Sequence, residues 1–136
     1  MKLIVSSDII TIFKFLNYAY NLRKYEMKKL KLMLDFGEGP IWPEYFDEEK
    51  GRLLTGIEKV DNDKELWDIN ETIQELFTSY YHFDYNDQAC FFDEEQEKKD
   101  KYKMLALLEK LKKRLYEIND GSFEIDDKET ERVKNL

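Results

Sequence analysis

Two apolar stripes at helical spacing most constrain how this chain can fold. Leu66, Ile69, Ile73, Leu76, Phe77 and Tyr80 lie three or four residues apart, and so do Leu108, Leu111, Leu115 and Ile118, entered through Met104 or Leu105. Residues so spaced share one face of a 3.6-residue helix. Asp61 or Asp63 can cap the first helix through its side-chain oxygen, with Glu65 in the first turn favouring the positive end of the dipole. The pattern predicts helices over residues 63–82 and 94–119, the second beginning near Asp93 and ended by Asp120-Gly121 as a C-cap. Each leaves an apolar face to bury, so two antiparallel helices should close on each other and on a small sheet.

That sheet should begin in Met27–Trp42, MKKLKLMLDFGEGPIW. Leu30, Leu32 and Leu34 alternate with Lys31 and Met33, a period of two that predicts a strand within residues 29–36. Gly37-Glu38-Gly39-Pro40 stops it, because Gly supplies unusual φ and Pro cannot continue a central ladder. Residues 40–46 read as extended and turn-rich, with Trp42 anchoring the turn in the core. Leu53, Leu54, Ile57 and Val60 read as a second short strand or an irregular hairpin arm, with Gly51 and Gly56 as turn points. Residues 84–93 read as a connection between the helices, and Phe123 and Ile125 as one short strand. The charged stretch Asp126–Leu136 either frays or forms a loose helix through Val133. A strand first and helices after make an α+β domain. At 136 residues there is room for one such domain with one core, spanning residues 27–136.

Residues 1–26 differ in kind. They are apolar, yet Asp8 and Lys14 interrupt them, and no run approaches the roughly 20 residues a spanning helix needs. Lys14 and the lack of a small-residue cleavage site also exclude a signal peptide. Ile9, Ile12, Phe13, Leu16 and Tyr20 fit an N-terminal amphipathic helix. The competing reading is translated upstream sequence ahead of a true start at Met27. MKK is a common bacterial opening, Arg23-Lys24 fits a purine-rich ribosome-binding stretch, and the charge balance changes sign there. Residues 1–26 carry a balance of +2 and the remainder −10, within a net −8.

Such a field repels nucleic acid and anionic membrane and attracts basic partners. The aromatic share of 15% argues for a folded chain beneath a densely charged surface. One cysteine, Cys90, excludes an internal disulfide framework and fits a reducing, cytoplasmic compartment; it reads as a small buried filler beside Phe91 and Phe92. With His82 as the single histidine, a structural zinc site lacks ligands. His82 is expected near the end of the first helix. GEGP has neither the spacing nor the Lys-Ser/Thr of a phosphate loop. Asp84, Asn86, Gln88 and Glu95 fall at positions one, three, five and twelve of a calcium-loop window, but Ala89 replaces the glycine its sharp turn needs. No catalytic constellation emerges, and neither metal nor cofactor is expected.

What remains is aromatic side chains interleaved with acids. Tyr80, Tyr81, Phe83 and Tyr85 accompany Asp84 and Asp87, while Trp42, Tyr45 and Phe46 accompany Glu44, Asp47 and Glu48. Tyr and Trp make interface hot spots, and carboxylates steer basic partners. Trp42, Phe77 and Tyr80 are assigned to the core. The candidate partner-binding residues are Glu44, Tyr45, Asp47, Glu48, Tyr81, Asp84, Tyr85 and Asp87.

The segment LMLDFGEGPIW resembles the opening of small bacterial immunity proteins of polymorphic-toxin and contact-dependent inhibition systems. These begin with a short strand and a D-aromatic-G-x-x-P-aliphatic-W signature. Leu32, Leu34, Asp35, Phe36, Gly37, Pro40, Ile41 and Trp42 match it, while Glu38 stands where a cysteine or small residue is expected. The resemblance implies a cytoplasmic, non-enzymatic inhibitor that binds a cognate toxin domain, with Asp35, Gly37, Pro40 and Trp42 as structural motif residues. Nuclease toxins carry basic surfaces for phosphate, for which an acidic aromatic surface can compete. The alternatives are a regulatory adaptor or antitoxin-like binding protein and, further off, a carboxylate-based enzyme.

Overall fold

The computed structural model describes residues 7–85 and 87–136, with residues 23–26 described by their backbone alone. In chain order its elements are α1 (Ser7–Glu26), β1 (Lys28–Leu32), β2 (Tyr45–Asp47), β3 (Arg52–Leu54), α2 (Glu58–Asp61), α3 (Lys64–Thr78), β4 (Tyr81–Tyr85), β5 (Gln88–Phe92), α4 (Glu94–Lys99), α5 (Lys101–Ile118), β6 (Phe123–Asp127) and α6 (Thr130–Lys134). The fold is α+β, as the order of patterns implied.

Helices α3 and α5 form its centre. Leu66, Ile69, Ile73 and Phe77 from one and Met104, Leu108, Leu111 and Leu115 from the other are buried together. Each such side chain contributes about 1.5–3 kcal/mol by leaving water. The helices are antiparallel, since the start of α3 meets the end of α5 and the two other ends also meet. Asp63 caps α3 by accepting from Leu66 N at 2.8 Å and pairs with Arg114 Nη2 at 2.6 Å. At the opposite end the Tyr80 hydroxyl donates to Asp100 at 2.9 Å. Burial first, and then that bond to a carboxylate, hold the Tyr80 phenol well above its usual pKa.

The sheet differs from expectation in extent and in partner. Strand β1 ends at Leu32, and Leu34 N leaves the ladder to donate to buried Glu129 at 2.8 Å. Its neighbour is β6, paired in parallel with Leu30 opposite Ile125. Ile41 bridges the other edge of β1 through Leu32. The predicted first helix is also shorter. It stops at Thr78, and Tyr81–Tyr85 is a strand, so His82 lies in a hairpin instead of at a helix end. Tyr80 is still buried, just beyond the helix. Residues 84–93, expected as a connection between the helices, instead complete that hairpin, with Gln88–Phe92 as its second strand: Tyr81 pairs with Phe92 and Phe83 with Cys90. Aromatic side chains fit such a pleated surface. The second helix is interrupted at Asp100, whose backbone (φ −88°, ψ 5°) separates α4 from α5.

Four further expectations need correction. The C-terminal stretch forms the expected helix through Val133, as α6, but the helix is docked instead of loose or frayed. Val133 is wholly buried, and Glu129 accepts from Arg132 Nε at 2.7 Å while Arg132 Nη1 reaches buried Glu97 at 3.0 Å. Trp42 is only half-buried, with Lys31 Nζ 5.1 Å above its ring, and Ile41 takes the core position instead. Cys90 is exposed. Helix α1 forms, but its predicted stripe does not bury. Ile9, Ile12, Phe13, Leu16 and Tyr20 are all exposed, and so are Ile10, Phe15, Tyr18 and Leu22 on its other faces.

Candidate binding surface

The loop after β1 positions one part of the surface. Its two arms are zipped by Met33 N donating to Pro40 O at 2.8 Å and Trp42 N to Lys31 O at 2.9 Å, with a cis peptide bond between Gly39 and Pro40. Asp35 and Glu38 exchange backbone hydrogen bonds across the tip at 3.1 and 3.2 Å. Helix α3 fixes the loop from below. Asn70 Oδ1 accepts from Ile41 N at 2.8 Å, Gln74 Nε2 donates to Gly39 O at 3.0 Å, and Thr78 Oγ1 accepts from Gly37 N at 3.2 Å. Of the four predicted motif residues, Gly37 and Pro40 thus serve the loop's backbone. Asp35 closes its tip, its Oδ1 also accepting from Phe36 N at 2.7 Å.

The tip throws Phe36 outward against the β4–β5 hairpin, its ring centroid 5.1 Å from Tyr81 and 5.5 Å from Phe83, both edge-on. On the inner side Tyr81 and Phe92 pack at 4.9 Å and both rest on Phe77. Tyr81 is therefore more a buttress than a free contact. Burial and the Asp35 charge raise its pKa. The outer face holds His82, Tyr85 and Phe91, with rings 5.8–6.2 Å apart and only moderately inclined to one another. Simple alternation from Tyr81 would put Tyr85 on the inner side with Phe83. Asp84 intervenes with φ +54°, a left-handed backbone, and Tyr85 lies with the outer group. Asp87 is also left-handed, at φ +61°, as a two-residue hairpin turn requires. Phe36, Phe83, Tyr85 and Phe91 are all exposed, as are Asp84 and Asp87.

The other predicted group lies on the β2–β3 hairpin. Glu44, Tyr45 and Glu48 are exposed, with Phe46 and Leu53 exposed beside them. Asp47 is committed to its own turn, accepting from Lys50 N at 2.9 Å. The two hairpins do not touch in any described contact. A cleft of about 90 Å³ lined by Pro43, Leu53, Trp67 and Asn70 lies beside the α3-docked loop, well under the roughly 300–1,000 Å³ of ligand pockets.

Charge reinforces the hairpin surface. From Glu65 to Glu97 the chain has ten carboxylates and no Lys or Arg, and from Leu32 to Glu49 six carboxylates and no Lys or Arg. The displaced carboxylate pKa values lie elsewhere, on structural pairs. Arg114 lowers Asp63, while Ser122 and Lys59 bring Asp120 to about 2. Burial pushes Asp127 up, but bonds from Thr130, Glu129 and Lys112 outweigh it and leave the carboxyl low. The calcium-loop window does not form a loop between helices: Gln88 is paired in β5 opposite Tyr85 and Glu95 lies in α4, while Asn86 falls outside the described residues. Among the described residues no group of His, Cys, Asp and Glu is arranged to hold a metal, and no helix is long and apolar enough to cross a membrane. No family model, curated protein or solved structure matches the chain.

Asp84, Tyr85 and Asp87, named as candidates from the sequence, are all exposed. Sequence reasoning did not join them to Phe36 and Phe91. The available signal was the two-residue Asn86-Asp87 step between aromatic runs, a recognisable hairpin turn.

Proposed function

We propose that this chain is a cytoplasmic immunity protein that binds and neutralises a basic toxin domain. The observation that carries the reading is the exposed aromatic and acidic surface of Phe36 and the β4–β5 hairpin, set in a stretch without a single Lys or Arg. Exposed aromatic rings on rigid strands supply contact area with little ordering cost, and unpaired carboxylates steer a cationic partner and speed its association. The same charge disfavours nucleic acid as the partner. The DFGEGPIW segment supports the reading through its resemblance to immunity-protein openings, and its loop serves to hold Phe36 against the hairpin. No enzymatic step is proposed.

Co-expression with the toxin domain encoded beside it tests the proposal. Growth should be restored by this chain and the two proteins should co-purify. A toxin that still kills, with no complex formed, overturns it.

A further inference from the structure

We infer that the outer face of the β4–β5 hairpin docks a protein surface whose contacting cations are arginines. The partner's identity as a toxin rests on the reading above; its contact chemistry rests on the hairpin. Tyr85 and Phe91 offer ring faces inclined by 31° at 6.2 Å, and Phe36 and Phe83 extend the aromatic area around the edge. Asp84 and Asp87 flank these rings, and neither carboxylate has an ion pair or hydrogen bond among the described residues. His82, on the same outer face, is turned to Asp93 at 3.5 Å. Residues 65–97 hold no Lys or Arg, and Arg132, which lies over the Phe77 ring on the inner side, is engaged with Glu129 and Glu97, so the counter-charge is left to the partner.

Guanidinium satisfies both parts of this surface. Its plane stacks on an aromatic face while its N–H groups pair with a carboxylate. Lysine is a compact, strongly hydrated point charge that can sit over a ring but has no plane to stack flat on it. An apolar peptide would bury Asp84 and Asp87 without a counter-charge, which is costly. The β2–β3 hairpin is a poorer candidate, because Lys50 and Arg52 stand beside its carboxylates and Asp47 is already engaged.

The test is titration of the full chain with deca-arginine and deca-lysine peptides, followed by amide NMR at about 0.15 M salt, where exposed charges are screened beyond about 8 Å. Deca-arginine should bind about fivefold more tightly, given stacking on two rings. Its shifts should centre on residues 81–92. Asp84→Asn with Asp87→Asn, which suits left-handed backbone, should weaken deca-arginine at least fivefold. Tyr85→Ala with Phe91→Ala should make the two peptides equal. Phe36→Ala, outside the hairpin, should narrow the preference and serves as a second readout if the double variant loses the hairpin. Equal binding of both peptides to the unaltered chain, or shifts centred on residues 44–54, overturns the inference. Neutralisation of the toxin without an arginine preference removes this inference and leaves the immunity reading standing. An arginine preference without neutralisation does the reverse.

Discussion

Gly37 and Gly39 make a controlled comparison within one loop. Both have positive φ, +67° and +84°. An alanine at either position pays the left-handed penalty of about 1–2 kcal/mol and recovers about 0.4–1 kcal/mol from a less flexible unfolded chain. They differ in space. A Cβ on Gly37 meets nothing within 4 Å, whereas one on Gly39 would lie 1.9 Å from Met33 O and 3.0 Å from Met33 C. Both neighbours are backbone, so the loop must open. Opening endangers the Met33–Pro40 bond at 2.8 Å and the Gln74–Gly39 bond at 3.0 Å, each contributing about 1 kcal/mol. Gly37→Ala should therefore cost about 1 kcal/mol and Gly39→Ala about 3 kcal/mol. Urea unfolding followed by the fluorescence of Trp42 and Trp67 measures both. If the two variants lose stability equally, within about 0.5 kcal/mol, the close approach of Gly39 to the end of β1 is wrong.

Other consequences follow from the ion pairs and the chain ends. Asp63→Ala removes a helix cap and the Arg114 pair and should cost about 2–3 kcal/mol at neutral pH. Asp63 has its carboxyl pKa held below the ordinary 3.8, so its stabilisation is complete above that value and is lost as pH falls through the lower, folded one. The stability gap between the unaltered chain and Asp63→Asn, followed by urea unfolding, should accordingly close below pH 3.8. Glu129→Ala strands the Leu34 amide and one arm of Arg132 and should cost about 2–3 kcal/mol, read by thermal unfolding; no loss would mean that the C-terminal segment is undocked. A chain beginning at Met27 should unfold within about 0.5 kcal/mol of the full chain, because the large apolar side chains of α1 are exposed.

Periodicity revealed the helices because Leu66 to Phe77 and Leu108 to Leu115 repeat over enough turns for chance to be a poor explanation. Asp63 was legible for the same local reason, since a cap acts within three residues. The end of α3 was not, because Tyr80 continues the helical spacing and only the aromatic alternation after it favours a strand. The parallel pairing of β1 with β6 joins residues more than ninety positions apart, and no local pattern encodes a partner at that range. A helix through Val133 was legible, but its docking was not, because that depends on the turn capped by Asp127 and on Glu129 meeting the Leu34 amide. Choosing between Ile41 and Trp42 for the core depended on how the loop sits on Asn70 and Gln74, which is tertiary. At the surface, composition marked Asp84, Tyr85 and Asp87, while Phe36 joined them only through contacts of the folded loop.

Inhibition of the purified neighbouring toxin domain by this chain, compared with the Asp84→Asn, Tyr85→Ala, Asp87→Asn triple variant, bears most directly on the acidic aromatic surface. The unaltered chain should abolish toxin activity at one-to-one stoichiometry. The folded triple variant should need at least tenfold more protein, about 1.4 kcal/mol of lost binding. Equal inhibition by the two would place the toxin contact away from the hairpin, and no inhibition by either would contradict the immunity reading altogether.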